Sequence, residues 1–319
     1  MKVAYSQVSP VFLKSLLITR YGLSATTEVV YLHRGLNDTY RVSADGASYI
    51  LRIYRKDWKP YDDIIGELKL IELLAKNHLK VASPVADREG QRIQQLHCPE
   101  GMRYSVLFTF APGVALPALD EKSAQLFGEQ LAYLHLVTEY TEIEQLSKSY
   151  QVTEILSITR ASLISRLGPQ DASLQLLSQI KQLLAKALPP NLLQELSQGV
   201  CHGDPHYENC FIQQQAWELT FFDFDFCGNG YLHYDLGSFF HYERNNPGIQ
   251  DSFLAGYTRV RPLGDLQLRL IPYFAILMRL YHLGARAKNA DGIKNPIWPT
   301  ESIGSTAQDI LAQLAALKN

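Results

Sequence analysis

The sequence predicts an α+β fold in two lobes: an antiparallel sheet with one long helix over residues 1–110, then a mostly helical lobe over 111–319. Three observations carry this. Thr27–His33, Thr39–Ser43 and Ser48–Tyr54 are short runs rich in β-branched and aromatic residues, separated only by Gly35-Leu36-Asn37-Asp38 and Ala44-Asp45-Gly46-Ala47. Asp-Gly between two such runs is a strong hairpin signal, so the runs form an antiparallel meander. After the apolar strand Tyr104–Phe110, the break Ala111-Pro112-Gly113 ends the sheet, and most of the remaining chain has helical spacing. A chain of 319 residues suits one or two domains with a sizeable core.

Taken in order, Val11–Leu17 has helical apolar spacing and stops near Tyr21-Gly22. The turn Arg34–Asp38, with Gly35, Asn37 and Asp38, either reverses the chain or lies over the phosphates of a nucleotide, which would put Asn37 at that ligand. On the third strand Ile50, Arg52 and Tyr54 share one face. Asp62–His78 is an amphipathic helix with Ile64, Leu68, Ile71 and Leu74 in its stripe and Glu67 beside it. Glu67 could orient Arg52 towards phosphate; equally, the two could be a partly exposed strand cation and a solvated helix acid. Ser83-Pro84-Val85 and the turn Arg88-Glu89-Gly90-Gln91 suggest two further strands. Asp120 caps a helix running to about Val137, on which His135 reads as a structural histidine. Residues 140–198 read as two or three helices without chemistry.

The chemistry is concentrated in His202-Gly203-Asp204-Pro205-His206-Tyr207-Glu208-Asn209, followed by two short strands and Asp223-Phe224-Asp225. A hairpin between the two stretches would gather Asp204, Asn209 and Asp223 around one point. Two chemistries fit. In one, Asp204 takes the proton of an acceptor hydroxyl while Asn209 and Asp223 hold Mg²⁺ between the phosphates of ATP. In the other, His202, Asp204, His206 and an Asp near 223 bind a transition metal that activates water. Asn209 favours the first, because an amide oxygen suits a hard cation better than zinc. Pro205 removes any need for the two histidines to point together.

These residues resemble the aminoglycoside phosphotransferase/choline kinase family, which has a protein-kinase-like fold. The resemblance covers most of the chain. Tyr49-Ile50-Leu51-Arg52 is similar to the strand of the ATP-binding Lys, and Glu67-Leu68-Lys69-Leu70-Ile71-Glu72-Leu73-Leu74 to the helix of its Glu partner. Leu126–His135 is similar to the first large-lobe helix, and Tyr234-Asp235-Leu236-Gly237 to the step after the metal-binding Asp. The resemblance implies a cytoplasmic enzyme using ATP and Mg²⁺ on a hydroxyl acceptor such as an aminoglycoside, an amino alcohol or homoserine. It implies Asp204 as base, Asn209 and Asp223 as metal ligands with Asp225 as a further contact, and Asp235, with His202, as structural groups of the loop. It places Arg52 and Glu67 at the phosphates and Phe108–Ala111, with Phe110, against adenine. The one departure is Arg52, where the family has Lys; branches resembling homoserine kinase type II also carry Arg, while an inactive nucleotide-binding member is the rival reading.

Helices are expected at Tyr234–Arg244, Asp251–Val260, Leu266–Lys288 and from about Ser305 to Leu317. Tyr234, Asp235, His241, Tyr242 and Glu243 give this region acidic and aromatic character, whereas Arg279, His282, Arg286 and Lys288 give the opposite, so the acceptor stays open. The aromatic and cationic helix before Ile297-Trp298-Pro299 also resembles bacterial stress-response kinases, which keeps a protein acceptor in view. With 30 Lys and Arg against 32 Asp and Glu, bulk charge gives no reason to expect nucleic acid. The start shows no secretory signal and the chain no run of about 18 apolar residues, so a membrane is not expected. Cys98, Cys201, Cys210 and Cys227 fit neither a disulfide framework nor a zinc knuckle.

Overall fold

A computed structural model describes residues 3–289 and 303–317. The chain divides into two compact units, Met1–Pro112 with Thr220–Phe222, and Gly113–Leu219 with Asp223–Asn319.

The first unit is a five-stranded antiparallel sheet in the order β1-β2-β3-β5-β4. The strands are β1 (Glu28–Arg34), β2 (Asp38–Ala44), β3 (Ala47–Ile53), β4 (Ile93–Cys98) and β5 (Gly101–Thr109). Asp45, with φ 53°, and Gly46, with φ 77°, form the turn between β2 and β3, the left-handed pair that a two-residue hairpin turn of type I′ uses. Strand alternation sends Leu51 and Ile53 into a core with Tyr40, Val42, Leu96 and Leu107. Leu13 of helix α1 (Pro10–Leu16) and Leu17 close that core. The expected first helix is thus present, and it widens into a π-helical turn, Leu17–Tyr21, before Gly22 ends it at φ 74°. Arg52 projects from the other face of β3, where helix α2 (Tyr61–Lys76) brings Glu67. One buried cation ties the sheet to the N-terminus. Arg103 donates to Asp38 at 2.8 Å, to the Tyr54 carbonyl at 2.9 Å and to the Ser6 carbonyl at 2.9 Å. Tyr5 also gives its hydroxyl to Asp38.

One expected strand is absent. Residues 83–85 make only an isolated bridge from Pro84 to Phe108, because proline has no N–H to extend a ladder. The turn at 88–91 does lead into a strand, β4. Residues 220–222 join this unit through a parallel bridge between Phe221 and Val81.

The second unit is built on helix α3 (Glu121–Thr138). It begins in a capping box in which Asp120 accepts from the Ser123 N–H at 2.7 Å and Ser123 Oγ accepts from the Asp120 N–H at 2.9 Å. Helices α4 (Val152–Leu167), α5 (Ser173–Ala187) and a single turn α6 (Pro190–Leu193) occupy the stretch read as two or three helices. A small sheet has the order β6-β10-β7, from β6 (Ser149–Tyr150), β7 (Gln198–Cys201) and β10 (Gly228–Tyr231). The predicted hairpin is β8 (Cys210–Gln213) with β9 (Glu218–Phe221). Helices α7 (His233–Tyr242), α8 (Pro247–Val260), α9 (Asp265–Asn289) and α10 (Ile303–Ala316) complete the unit. Helix α8 packs on α3, α9 on both α7 and α4, and α10 on α5. The α3–α8 crossing is close because both helices carry glycine there. A Cβ on Gly128 would lie 2.0 Å from the Phe253 carbonyl oxygen, and one on Gly256 would lie 1.9 Å from that of Gln125. Ile297-Trp298-Pro299 lies outside the described residues.

Candidate active site

The loop after β7 carries the acidic centre. Asp235, fully buried at the first turn of α7, accepts the backbone N–H of His202 at 2.7 Å and of Gly203 at 2.8 Å. His135 of α3 supports the same carboxylate, with Nε2 at 3.1 Å, while its Nδ1 lies 2.8 Å from the Tyr257 hydroxyl. Burial holds the His135 pKa below its ordinary value although Asp235 pulls it up, so the ring is neutral at pH 7. Gly203 has φ +88°, and a Cβ there would lie 2.0 Å from the Phe226 carbonyl oxygen. Only glycine fits this turn. The His202 ring packs against Phe224 at 4.5 Å between centroids and is fully buried.

Around Asp204 the side chains converge. Tyr242 of α7 donates its hydroxyl to Oδ1 at 2.8 Å. His206 Nε2 stands 3.4 Å from Oδ2. Asn209 donates its amide to the Asp204 carbonyl at 2.9 Å and reaches Oδ2 at 3.4 Å. Burial would raise the Asp204 pKa. The hydrogen bond and charge of His206, the charge of His282 and the Tyr242 hydroxyl outweigh it and hold the carboxyl at about 2. Burial alone would lower the His206 pKa, but the bond to Asp204 and the charges of Asp204, Glu208 and Asp223 raise it. Asp204 is therefore ionised across the physiological range.

The hairpin returns Asp223 to this centre, close enough for its charge to act on both His202 and His206. Asp223 is a non-glycine residue in the left-handed region, φ 61° and ψ 60°, heading the 3₁₀ turn Phe224–Phe226. Asp225 lies inside that turn and is buried. Among the described residues no three His, Cys, Asp or Glu side chains form a metal cage. The four-ligand metal-water site therefore has no geometric basis. One amide and one carboxylate oxygen instead suit Mg²⁺, which binds through one or two protein ligands and completes its shell with phosphate and water.

In the first unit Glu67 is the centre. Arg52 donates to Oε1 at 3.1 Å, while Lys59 at 2.5 Å and the Tyr54 hydroxyl at 3.0 Å reach Oε2. The Glu67 and Lys59 side chains are 1% and 0% exposed, against 12% for Arg52, so Arg52 is the cation nearer to solvent. Its guanidinium stands 5.5 Å from the centre of the Phe108 ring. Phe110 faces Arg41 at 5.3 Å instead. Asn37 is buried, and its amide oxygen accepts the Arg55 N–H at 3.2 Å, tying the turn to the chain after β3.

Sequence reasoning overlooked Lys59. It lies in the aperiodic segment between β3 and α2, so no face assignment could single it out. Tyr242 and His206 were visible as residues, but not as partners of Asp204. Tyr242 is 38 positions beyond Asp204 and meets it only through the docking of α7.

The profile of the phosphotransferase enzyme family matches residues 31–267, about three-quarters of the chain. The chain belongs to this family. An uncharacterized protein of Synechocystis is 31% identical over 271 residues, covering 82% of this chain and 74% of its own. A homoserine kinase of Xanthobacter autotrophicus is 26% identical over 286 residues, covering 85% and 83%. Among solved structures, an amicoumacin kinase in complex with AMP-PNP, Ca²⁺ and Ami has a TM-score of 0.76 at 20% identity, covering 98% of this chain and 94% of its own. The expected α+β, protein-kinase-like fold is borne out. The protein is a phosphotransferase; the amicoumacin kinase that shares its fold binds AMP-PNP, Ca²⁺ and Ami. Among its described residues no helix is long and apolar enough to cross a membrane. Its four cysteines are free, and Cys201, Cys210 and Cys227 are buried.

Proposed function

We propose that this phosphotransferase moves the γ-phosphoryl group of ATP to the hydroxyl of a small acceptor, with Asp204 as the base. The observation that supports this best is the ionised Asp204, flanked by His206, Tyr242 and Asn209 on a loop fixed by Asp235. With a pKa of about 2, Asp204 is a weak base before reaction. Its main work is to accept the hydrogen bond of the acceptor hydroxyl and aim the oxygen. Oδ1 keeps a second lone pair beyond the one used by Tyr242, whereas Oδ2 already faces His206 and Asn209. In a loose phosphoryl transition state the proton leaves late, so orientation counts more than basicity. Asn209 and Asp223, with Asp225 as a further carboxylate, would hold Mg²⁺, whose charge offsets that of the phosphates. Arg52 would meet the phosphates while Glu67 holds it, and Lys59, the second cation on Glu67, supplies the lysine absent from the strand. Phe108–Ala111, with Phe110, would meet adenine, and Asn37 would shape the phosphate-covering turn.

Asp204→Asn tests the reading. Transfer to any acceptor should fall by about 10² to 10⁴. Stabilisation by Mg-ATP in a thermal melt should persist, because the substitution spares the proposed metal ligands. Unchanged turnover in this variant would refute the assignment of the base.

A further inference from the structure

We propose that the acceptor is an anion, a small hydroxyl compound that also carries a carboxylate or phosphate. The inference rests on the phosphotransferase reading of Asp204 and names the substrate class of that same site. Within the second unit a cavity of about 530 Å³ is lined by residues of α7 and the turn after it, of α9 and of α10. Among the described residues its charged side chains are Arg244, Arg279 and Arg286 against the acid Asp309, and His241 and His282 also line it. A volume of this order accommodates a small metabolite.

Three observations set the cavity beside Asp204. His241 is adjacent in the chain to Tyr242, whose hydroxyl bonds Asp204 Oδ1 at 2.8 Å. The His282 ring packs on Phe226, in the turn headed by Asp223, at 5.7 Å between centroids. His282 and Asp204 also act on each other electrostatically, which sets the two side chains near one another. The cavity is also electropositive. His241 has its pKa driven down to about 3, first by burial and then by the charges of Arg244, Arg279, His282 and Arg286. His282 Nε2 is buried in the cavity wall with no hydrogen-bond partner among the described residues, leaving a polar group for a ligand to satisfy.

An ammonium-bearing acceptor placed here would face three guanidinium groups, and like charges brought together inside a site oppose binding. A carboxylate or phosphate is what a planar guanidinium fork binds best. Arg279 is steadied for this by its bond to Gln313 of α10 at 2.7 Å. The oxyanion of the acceptor seats on Arg279 and Arg286, and its hydroxyl lies at Asp204. In the transfer, the acceptor oxygen forms a bond to the γ-phosphorus as the bond to the β-bridging oxygen breaks. ADP leaves, and the hydroxyl proton passes to Asp204.

The test uses the full-length protein with Mg-ATP and a coupled ADP assay on matched acceptors. 4-Hydroxybutyrate is compared with 4-hydroxybutyramide, and glycerol 3-phosphate and D-glycerate with glycerol. Ethanolamine, choline and kanamycin form the cationic arm. At least one anionic acceptor should be phosphorylated, with kcat/KM at least about tenfold above its neutral counterpart. The carboxylate and phosphate arms decide which oxyanion it is. Arg279→Gln and Arg286→Gln should each raise the acceptor KM about tenfold to a hundredfold, the range for a lost charge-assisted hydrogen bond. The KM for ATP should stay in place, and Arg286→Lys should recover part of the loss. Turnover confined to the cationic or neutral arm would overturn the proposal. So would an anionic acceptor indifferent to both Gln variants, or Mg-ATP binding with no anionic compound bound or phosphorylated. If Mg-ATP neither binds nor is consumed, the phosphotransferase reading itself fails, a result distinct from these three.

Discussion

Replacing Glu67 with Gln keeps the side-chain shape and removes one charge from a buried cluster. The carboxylate faces two cations, Arg52 at 3.1 Å and Lys59 at 2.5 Å, and also receives the Tyr54 hydroxyl at 3.0 Å. With Lys59 0% and Glu67 1% exposed, water cannot take over its role. Removing one partner of such a buried pair costs about 3–5 kcal/mol, because the charge left behind loses that counter-charge in a place water does not reach. The loss at Glu67 should reach at least the lower end of that range. Lys59→Met removes a cation while Arg52 still neutralises Glu67, so it should cost well under half as much. In the double variant the penalty of Glu67→Gln should shrink by about 2 kcal/mol or more, the coupling expected of groups in direct contact. Urea unfolding monitored by circular dichroism measures all three changes through the midpoint at constant slope. A Glu67→Gln variant within about 1 kcal/mol of the parent, or strict additivity with Lys59→Met, would refute the account of a buried ionic cluster.

The catalytic loop and α7 each yield a further expected outcome. Gly203→Ala should destabilise the protein by more than the roughly 1–2 kcal/mol of a left-handed alanine, since the new Cβ also meets the Phe226 carbonyl at 2.0 Å. A thermal melt that matches the parent would contradict the geometry of the loop. Burial holds the His233 pKa down at about 3, against 6.5 in the unfolded chain. The unfolded state therefore binds more protons below pH 6.5, and stability falls as pH drops from 6.5 towards 3. Between pH 6.5 and pH 5 this one group removes about 2 kcal/mol. His233→Gln should flatten that part of the stability profile, and an unchanged slope between pH 7.5 and pH 5 would rule the histidine out as its source.

Local signals were sufficient wherever the chain is regular. The alternation of β3, the Asp45-Gly46 turn and the cap at Asp120 each depend on residues within a few positions, so the central strands and the start of α3 could be read directly. The pairing of Arg52 with Glu67 was legible as one of two possibilities, because strand and helix periodicity define the faces that meet. The expected strand at 83–85 failed because Pro84 lacks the donor a ladder needs, a local fact outweighed by the apolar pattern around it.

By itself the sequence determined the protein-kinase-like fold and the approach of Asn209 to Asp204, since a loop motif keeps these two residues near one another along the chain. Tertiary structure decided the rest. Lys59 reaches Glu67 from an aperiodic segment, and Tyr242 meets Asp204 through the docking of a helix. Arg244, Arg279 and Arg286 join one cavity only because α7, α9 and α10 pack together. In the sequence those cations were interspersed with acids and aromatics, and their net effect was undecided. Among the described acids packing turns Asp309 alone towards them, and the sign of a binding site depends on which side chains share a cavity.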